Sequence, residues 1–134
     1  MANALYPKWK EQLLQFTANN NLSAGTVKVA LIDTGTYTYS SAHQFWSSAS
    51  SASIGTPQTI GSKTFTDGLF DGADVTFPTV TGSTAEALII YIDTGTAGTS
   101  PLVSYIDTGV TGLPVTPNGG DISIQWDPSG IFQL

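Results

Sequence analysis

Three copies of Asp-Thr-Gly follow similar apolar runs in this chain: Leu31-Ile32-Asp33-Thr34-Gly35, Tyr91-Ile92-Asp93-Thr94-Gly95 and Tyr105-Ile106-Asp107-Thr108-Gly109. The tripeptide is the aspartic-protease signature. In that chemistry two carboxylates on symmetry-related loops share one proton, because both cannot ionise at close range, and one activates water. A homodimeric protease needs a single such loop per chain. Only one or two of these copies could reach a dyad, and the separations Asp33–Asp93 and Asp93–Asp107 do not repeat. The same residues also end a strand well: Asp bonds its own backbone in an Asx turn and Gly supplies the reversal. We read Ile-Asp-Thr-Gly as a reusable strand terminator, with the last two copies on neighbouring strands of a hairpin and an aspartic protease as the remote alternative.

His43 is the only histidine. Any Ser-His-Asp or Cys-His arrangement has to include it, and no Gly-x-Ser-x-Gly elbow supplies a nucleophile. A lone imidazole also excludes a multi-histidine zinc or iron site within one chain. A loop histidine with a local hydrogen bond is the expectation. Asp67, Asp71 and Asp74 crowd the segment Thr66-Asp67-Gly68-Leu69-Phe70-Asp71-Gly72-Ala73-Asp74, where carboxylate oxygens among glycines are the ligand type for Ca²⁺. The segment lacks the alternating acids and terminal Glu of an EF-hand loop. Turn-forming Asp-Gly pairs are therefore preferred, and these three aspartates stay as a calcium candidate with no metal assigned. No lysine stands in a phosphate-cradling Gly-x-x-x-x-Gly-Lys, and no cofactor is expected.

These residues need a scaffold, and the composition points to β structure. The chain has 134 residues, 40% of them hydrophobic and only 10% charged, and Thr, Ser, Gly and Asn dominate the remainder. Thr favours strands; Gly, Asn, Asp and Ser favour turns. Short strand-like runs at 62–66, 74–80, 85–92, 102–106, 121–126 and 131–134 alternate with turn clusters, and another spans 27–32, with 37–39 following as a further short one. The run Ala87-Leu88-Ile89-Ile90-Tyr91-Ile92 is apolar on both faces and reads as a central strand covered on each side. Residues 6–18 form the one amphipathic helix, with Pro7 in its first turn, Trp9, Leu13 and Phe16 on one stripe, and Asn19-Asn20-Asn21 as its end. The expected fold is mainly β: a single-domain β-sandwich or jelly-roll-like body over 22–134, an N-terminal helical arm at 1–21, and a Ser-rich surface loop near 47–57.

Charge narrows the partners. The net charge is −6, the only cations are Lys8, Lys10, Lys28 and Lys63, and there is no arginine. Nucleic-acid binding has no clustered basic groups to rest on. No apolar run reaches the length of a membrane span, and Met1-Ala2-Asn3-Ala4 shows no basic flank before an apolar stretch, so neither a membrane nor an export signal is expected. With no cysteine, packing, hydrogen bonds and oligomerisation must carry stability.

The chain resembles small virion proteins of tailed bacteriophages. The similar stretches are Met1-Ala2-Asn3-Ala4-Leu5-Tyr6, Val27-Lys28-Val29-Ala30-Leu31-Ile32-Asp33, Lys63-Thr64-Phe65-Thr66-Asp67-Gly68 and Leu113-Pro114-Val115-Thr116-Pro117-Asn118-Gly119-Gly120-Asp121-Ile122. The resemblance implies a non-enzymatic, homo-oligomeric structural component, a capsid decoration or cement protein that binds the major capsid protein. It would be made in the host cytoplasm and located on the virion surface. Tail, neck or fibre-associated virion proteins are the neighbouring alternative. A carbohydrate- or host-surface-binding β-module is the alternative of another class, since aromatics with Asp and Asn bind sugars. For docking, Tyr6, Lys8, Trp9, Lys10, Phe45 and Trp46 are the candidates, against burial of the same aromatics in the core.

Overall fold

The computed structural model describes residues 3–134; Met1 and Ala2, with which the expected arm begins, lie outside the described residues. The chain runs β1 (Ala4–Leu5), α1 (Pro7–Leu14), β2 (Thr26–Ile32), β3 (Ser53–Thr59), β4 (Thr64–Thr66), β5 (Leu69–Asp71), β6 (Val75–Phe77), β7 (Ala87–Asp93), β8 (Leu102–Ile106), β9 (Ile122–Ile124) and β10 (Phe132–Gln133). The main sheet has the order β1-β8-β7-β2-β3, accompanied by β10-β5-β4 and the pair β6-β9. All these pairings are antiparallel. The fold is a mainly β, single-domain sandwich with one α-helix near its N-terminus.

β7 is central in the main sheet, between β8 and β2. Its register with β2 sorts the side chains. Lys28, Ala30 and Ile32 oppose Tyr91, Ile89 and Ala87 on one face, while Val27, Val29 and Leu31 oppose Ile92, Ile90 and Leu88 on the other. Every apolar member of both sets is buried, which is why the run carries no polar alternation. Trp46 stacks on Tyr91, and Tyr37 and Tyr39 cover Tyr105, so an aromatic layer lies over the first face. Phe70, Val75, Phe77, Ile122 and Ile124 from the smaller sheets join the same continuous core.

Three expectations change. The segment 47–57 is not a surface loop. It forms two 3-10 turns, Trp46–Ser48 and Ser50–Ala52, with Ala49 and Ala52 buried, and then β3, which pairs with β2. Alanine, not serine, sets its inward face. No strand forms at 37–39, where Tyr37 and Tyr39 serve the aromatic layer instead. The N-terminal segment does not project as an arm: β1 pairs with β8, and the Tyr6 N–H donates to the Val103 carbonyl at 2.9 Å.

Candidate functional site

The helix ends earlier than its apolar spacing predicts, and its ending defines the surface. α1 stops at Leu14, Gln15 is its cap, and Phe16 follows at φ +54°. The Phe16 N–H donates to the Leu13 carbonyl (3.1 Å) and the Thr17 N–H to the Gln12 carbonyl (3.2 Å), the paired bonds of a Schellman motif. The residue in the left-handed position of that motif is ordinarily glycine, because a Cβ there is strained. Here it is phenylalanine, 96% exposed, with Leu14 beside it at 89%. The i+7 position, which the spacing assigns to the apolar stripe, instead points a ring at solvent. Leu13, Phe16, Leu22, Phe65, Leu134 and the flank of Trp9 frame an apolar groove of about 270 Å³.

A second cleft of about 210 Å³ opens on the other side of Trp9, Gln12 and Asn20, which line both. Its far wall is built where Phe45 bridges Pro101 and the Leu102 N–H bonds the Gln44 carbonyl at 2.9 Å. Three of the sequence-selected docking residues, Lys8, Trp9 and Phe45, meet at this cleft. Lys8 is paired with Glu11 at 3.1 Å. Lys10 is exposed on α1 away from both openings. Tyr6 and Trp46 are buried, so they act as core residues and present no surface to a partner. Trp9 is likewise buried, its ring edge set against Phe132, and it serves the cleft only as a wall. Gln12, Asn19, Asn20 and Gln44 complete that wall. Amides give no distinguishing signal in a single sequence, and Asn19 and Asn20 read there only as a helix end.

The three Asp-Thr-Gly copies do not converge. Thr26 pairs with Asp93 and Ile32 with Ala87, which puts Asp33 and Asp93 at opposite ends of the β2–β7 pair. Ile106 pairs with Leu88, so Asp107 lies at the Asp33 end, with β7 between their strands. Two strand spacings separate those strands, about 10 Å, too far for a shared proton. Asp33 Oδ1 accepts the Gly35 N–H and Asp93 Oδ1 the Gly95 N–H, both at 2.9 Å, the bonds of Asx turns. Asp93 Oδ2 also receives Lys28 Nζ at 2.9 Å, which with the Gly95 bond holds its carboxyl below the usual aspartate range.

The calcium candidates are likewise dispersed. Asp67 and Gly68, both at positive φ, form the two-residue turn of the β4–β5 hairpin. Asp71 sits at the hairpin's other end and accepts its neighbour Gly72's N–H; Asp74 accepts the Trp126 N–H at 2.9 Å. Among the described residues no group of three or more His, Cys, Asp or Glu side chains is placed to hold a metal. The Asp67-Gly68 turn is of the kind the sequence favours for this segment, and it closes a hairpin between Phe65 and Phe70.

His43 has the expected local bond: Nδ1 lies 2.8 Å from the Tyr37 hydroxyl, which is 2.8 Å from the Tyr6 hydroxyl. Burial pushes both phenols above their usual range. The chain of three ties the 37–43 segment to the start of α1. No protein-family model matches this chain, and comparison with curated proteins finds no match.

Proposed function

We propose that this protein is a non-enzymatic structural component of a tailed-phage particle, a capsid decoration or cement protein that docks on the major capsid lattice and acts as a homo-oligomer. One observation carries the docking part: Phe16, held at φ +54° with its ring 96% exposed, beside an almost fully exposed Leu14 and an apolar groove. A chain serving only its own stability gains by placing glycine there, and backbone strain that persists at an exposed aromatic marks a used surface. The particle is inferred from the resemblance to small virion proteins. A rigid β-core with an apolar face at one end suits the task. Interfaces of about 1,200–2,000 Å² repeated over a shell add by avidity, and binding only the assembled shell stabilises it by mass action.

The test is co-sedimentation of the purified protein with capsids lacking it, across a salt series, followed by imaging of the occupied positions. Stoichiometric decoration that persists at high salt is expected, because an apolar contact is not screened. Failure to bind shells, with occupancy at the tail or neck, removes the cement assignment in favour of a tail-associated role.

A further inference from the structure

The cleft beside Phe45 differs in chemistry from the apolar rim around Phe16. Its wall carries the side-chain amides of Gln12, Asn19, Asn20 and Gln44, the half-buried ring of Phe45, and Lys8. The amides of Asn19 and Gln44 make no hydrogen bond to a described residue, and Gln12 uses only its Oε1, to the Thr17 hydroxyl at 2.7 Å. The Lys8 charge is balanced by Glu11, so the wall is effectively neutral. Two of the residues that line both this cleft and the apolar groove carry buried polar atoms of opposite sense with no partner among the described residues. Asn20 Oδ1 is an acceptor on a side chain 6% exposed, and Trp9 Nε1 is a donor on one 1% exposed. Asn20 is otherwise anchored through Nδ2 to the Thr17 hydroxyl (2.7 Å) and the Ala18 carbonyl (2.8 Å), which fixes which end of the amide is left over. Buried donors and acceptors are almost always paired, and leaving two unpaired in one wall is costly.

We propose that this cleft binds one ring of a neutral sugar. Each amide offers donors and an acceptor in one plane, the arrangement that meets neighbouring hydroxyls on a pyranose. The Phe45 ring has no aromatic partner of its own among the described residues and supplies the apolar face for the sugar's C–H side. A hydroxyl both donates and accepts, so sugar hydroxyls are partners of the right kind for Asn20 Oδ1 and for Trp9 Nε1. Both atoms are buried, so contact with a ligand requires the 18–20 turn, where Asn19 holds φ +66°, to move. The volume of about 210 Å³ lies below the roughly 300–1,000 Å³ of drug-sized pockets and suits a single ring. This site is independent of the capsid reading, and failure of either leaves the other standing.

The experiment is an NMR titration of the whole chain with methyl α-glucoside, methyl α-mannoside, methyl β-galactoside and N-acetylglucosamine, each to about 50 mM, as suits millimolar affinity. At least one sugar is expected to give saturable shifts of the Trp9 indole N–H and of the Asn20 and Gln44 side-chain amides, with the Trp126 indole unmoved. Gln44→Ala leaves the main-chain bond from Leu102 in place and is expected to weaken binding about three- to tenfold, the loss of one or two hydrogen bonds. Phe45→Ala is expected to weaken it further, but it also touches the Pro101 bridge, so Gln44→Ala is the deciding variant. Absence of saturable shifts with all four sugars, equal shifts with glycerol, or binding unchanged by Gln44→Ala overturns the proposal.

Discussion

Trp46 lies flat on Tyr91, ring centroids 4.3 Å apart and planes within 5° of parallel. Tyr91 belongs to the central strand, whereas Trp46 opens a 3-10 turn in the Ser- and Ala-rich stretch. The stack, with Ala49 and Ala52 buried behind it, fastens that stretch across the main sheet and delivers it into β3.

Trp46→Ala is accordingly expected to cost about 3–5 kcal/mol, the range for deleting a buried aromatic. Trp46→Phe, which keeps a stacked ring, is expected to lose less than half of that. Urea unfolding measures both, as a lower midpoint at unchanged slope. An alanine variant within 1 kcal/mol of the parent would show that the 46–52 segment is not part of the core.

The sequence made the central strand legible because six consecutive apolar residues have no other economical use, and the Asx turns at Asp33 and Asp93 because an Asp side chain readily accepts from the N–H two residues on. The preference for Asp-Gly turns over a calcium site rests on the same local chemistry. Asp67-Gly68 between Phe65 and Phe70 is hairpin chemistry. Helix length failed at Phe16. Spacing places that ring on the Trp9–Leu13 stripe, but the chain leaves the helix at Leu14, and a left-handed phenylalanine is not something propensity foresees. The cleft was half legible. Lys8, Trp9 and Phe45 were visible as side chains, whereas Gln12, Asn20 and Gln44 acquire meaning only when folding gathers amides distant in the chain.

The buried phenols make stability depend on alkaline pH. Burial foremost, and then the Asp93 carboxylate, push Tyr91 up from about 10 to about 12, and burial pushes Tyr6 up as well. A raised folded-state pKa means that the stabilisation is intact below the unfolded value, near 10, and drains away as pH climbs to the folded value. The urea midpoint is expected to hold between about pH 7 and 9 and to fall between about 10 and 12. Tyr91→Phe, which keeps the ring under Trp46, should shallow that fall. An identical alkaline slope in the variant would remove Tyr91 from the account.

Asp93 governs the acid side. Its carboxyl is lowered first by Lys28 and next by the Gly95 N–H. A depressed carboxylate contributes stability above the unfolded pKa, near 3.8, that disappears as pH falls through the lower folded value. Asp93→Asn preserves the Oδ1 acceptor for Gly95 and removes only the charge. It is expected to cost about 0.5 kcal/mol at neutral pH, as for a partly exposed ion pair. The gap to the parent should narrow as pH falls below the unfolded value, near 3.8, and shrink in high salt. A gap that persists in acid would place the loss in the turn and not in the ion pair.

Phe16→Gly separates folding from docking at a single residue. Removing the Cβ relieves about 1–2 kcal/mol of left-handed strain, while the glycine's greater freedom in the unfolded chain takes back about 0.5–1 kcal/mol, so the isolated protein should gain up to about 1.5 kcal/mol. The ring contributes little in return, since it is 96% exposed. Capsid binding should move the other way, by at least tenfold, because the variant loses the aromatic anchor of the apolar face. Thermal unfolding and shell co-sedimentation on the same preparation read the two effects. A variant that is more stable and still decorates shells would detach Phe16 from docking and leave its strain without a use. A variant that is less stable would mean that the ring packs into the groove beside it, and the surface proposed for the partner would then be the protein's own.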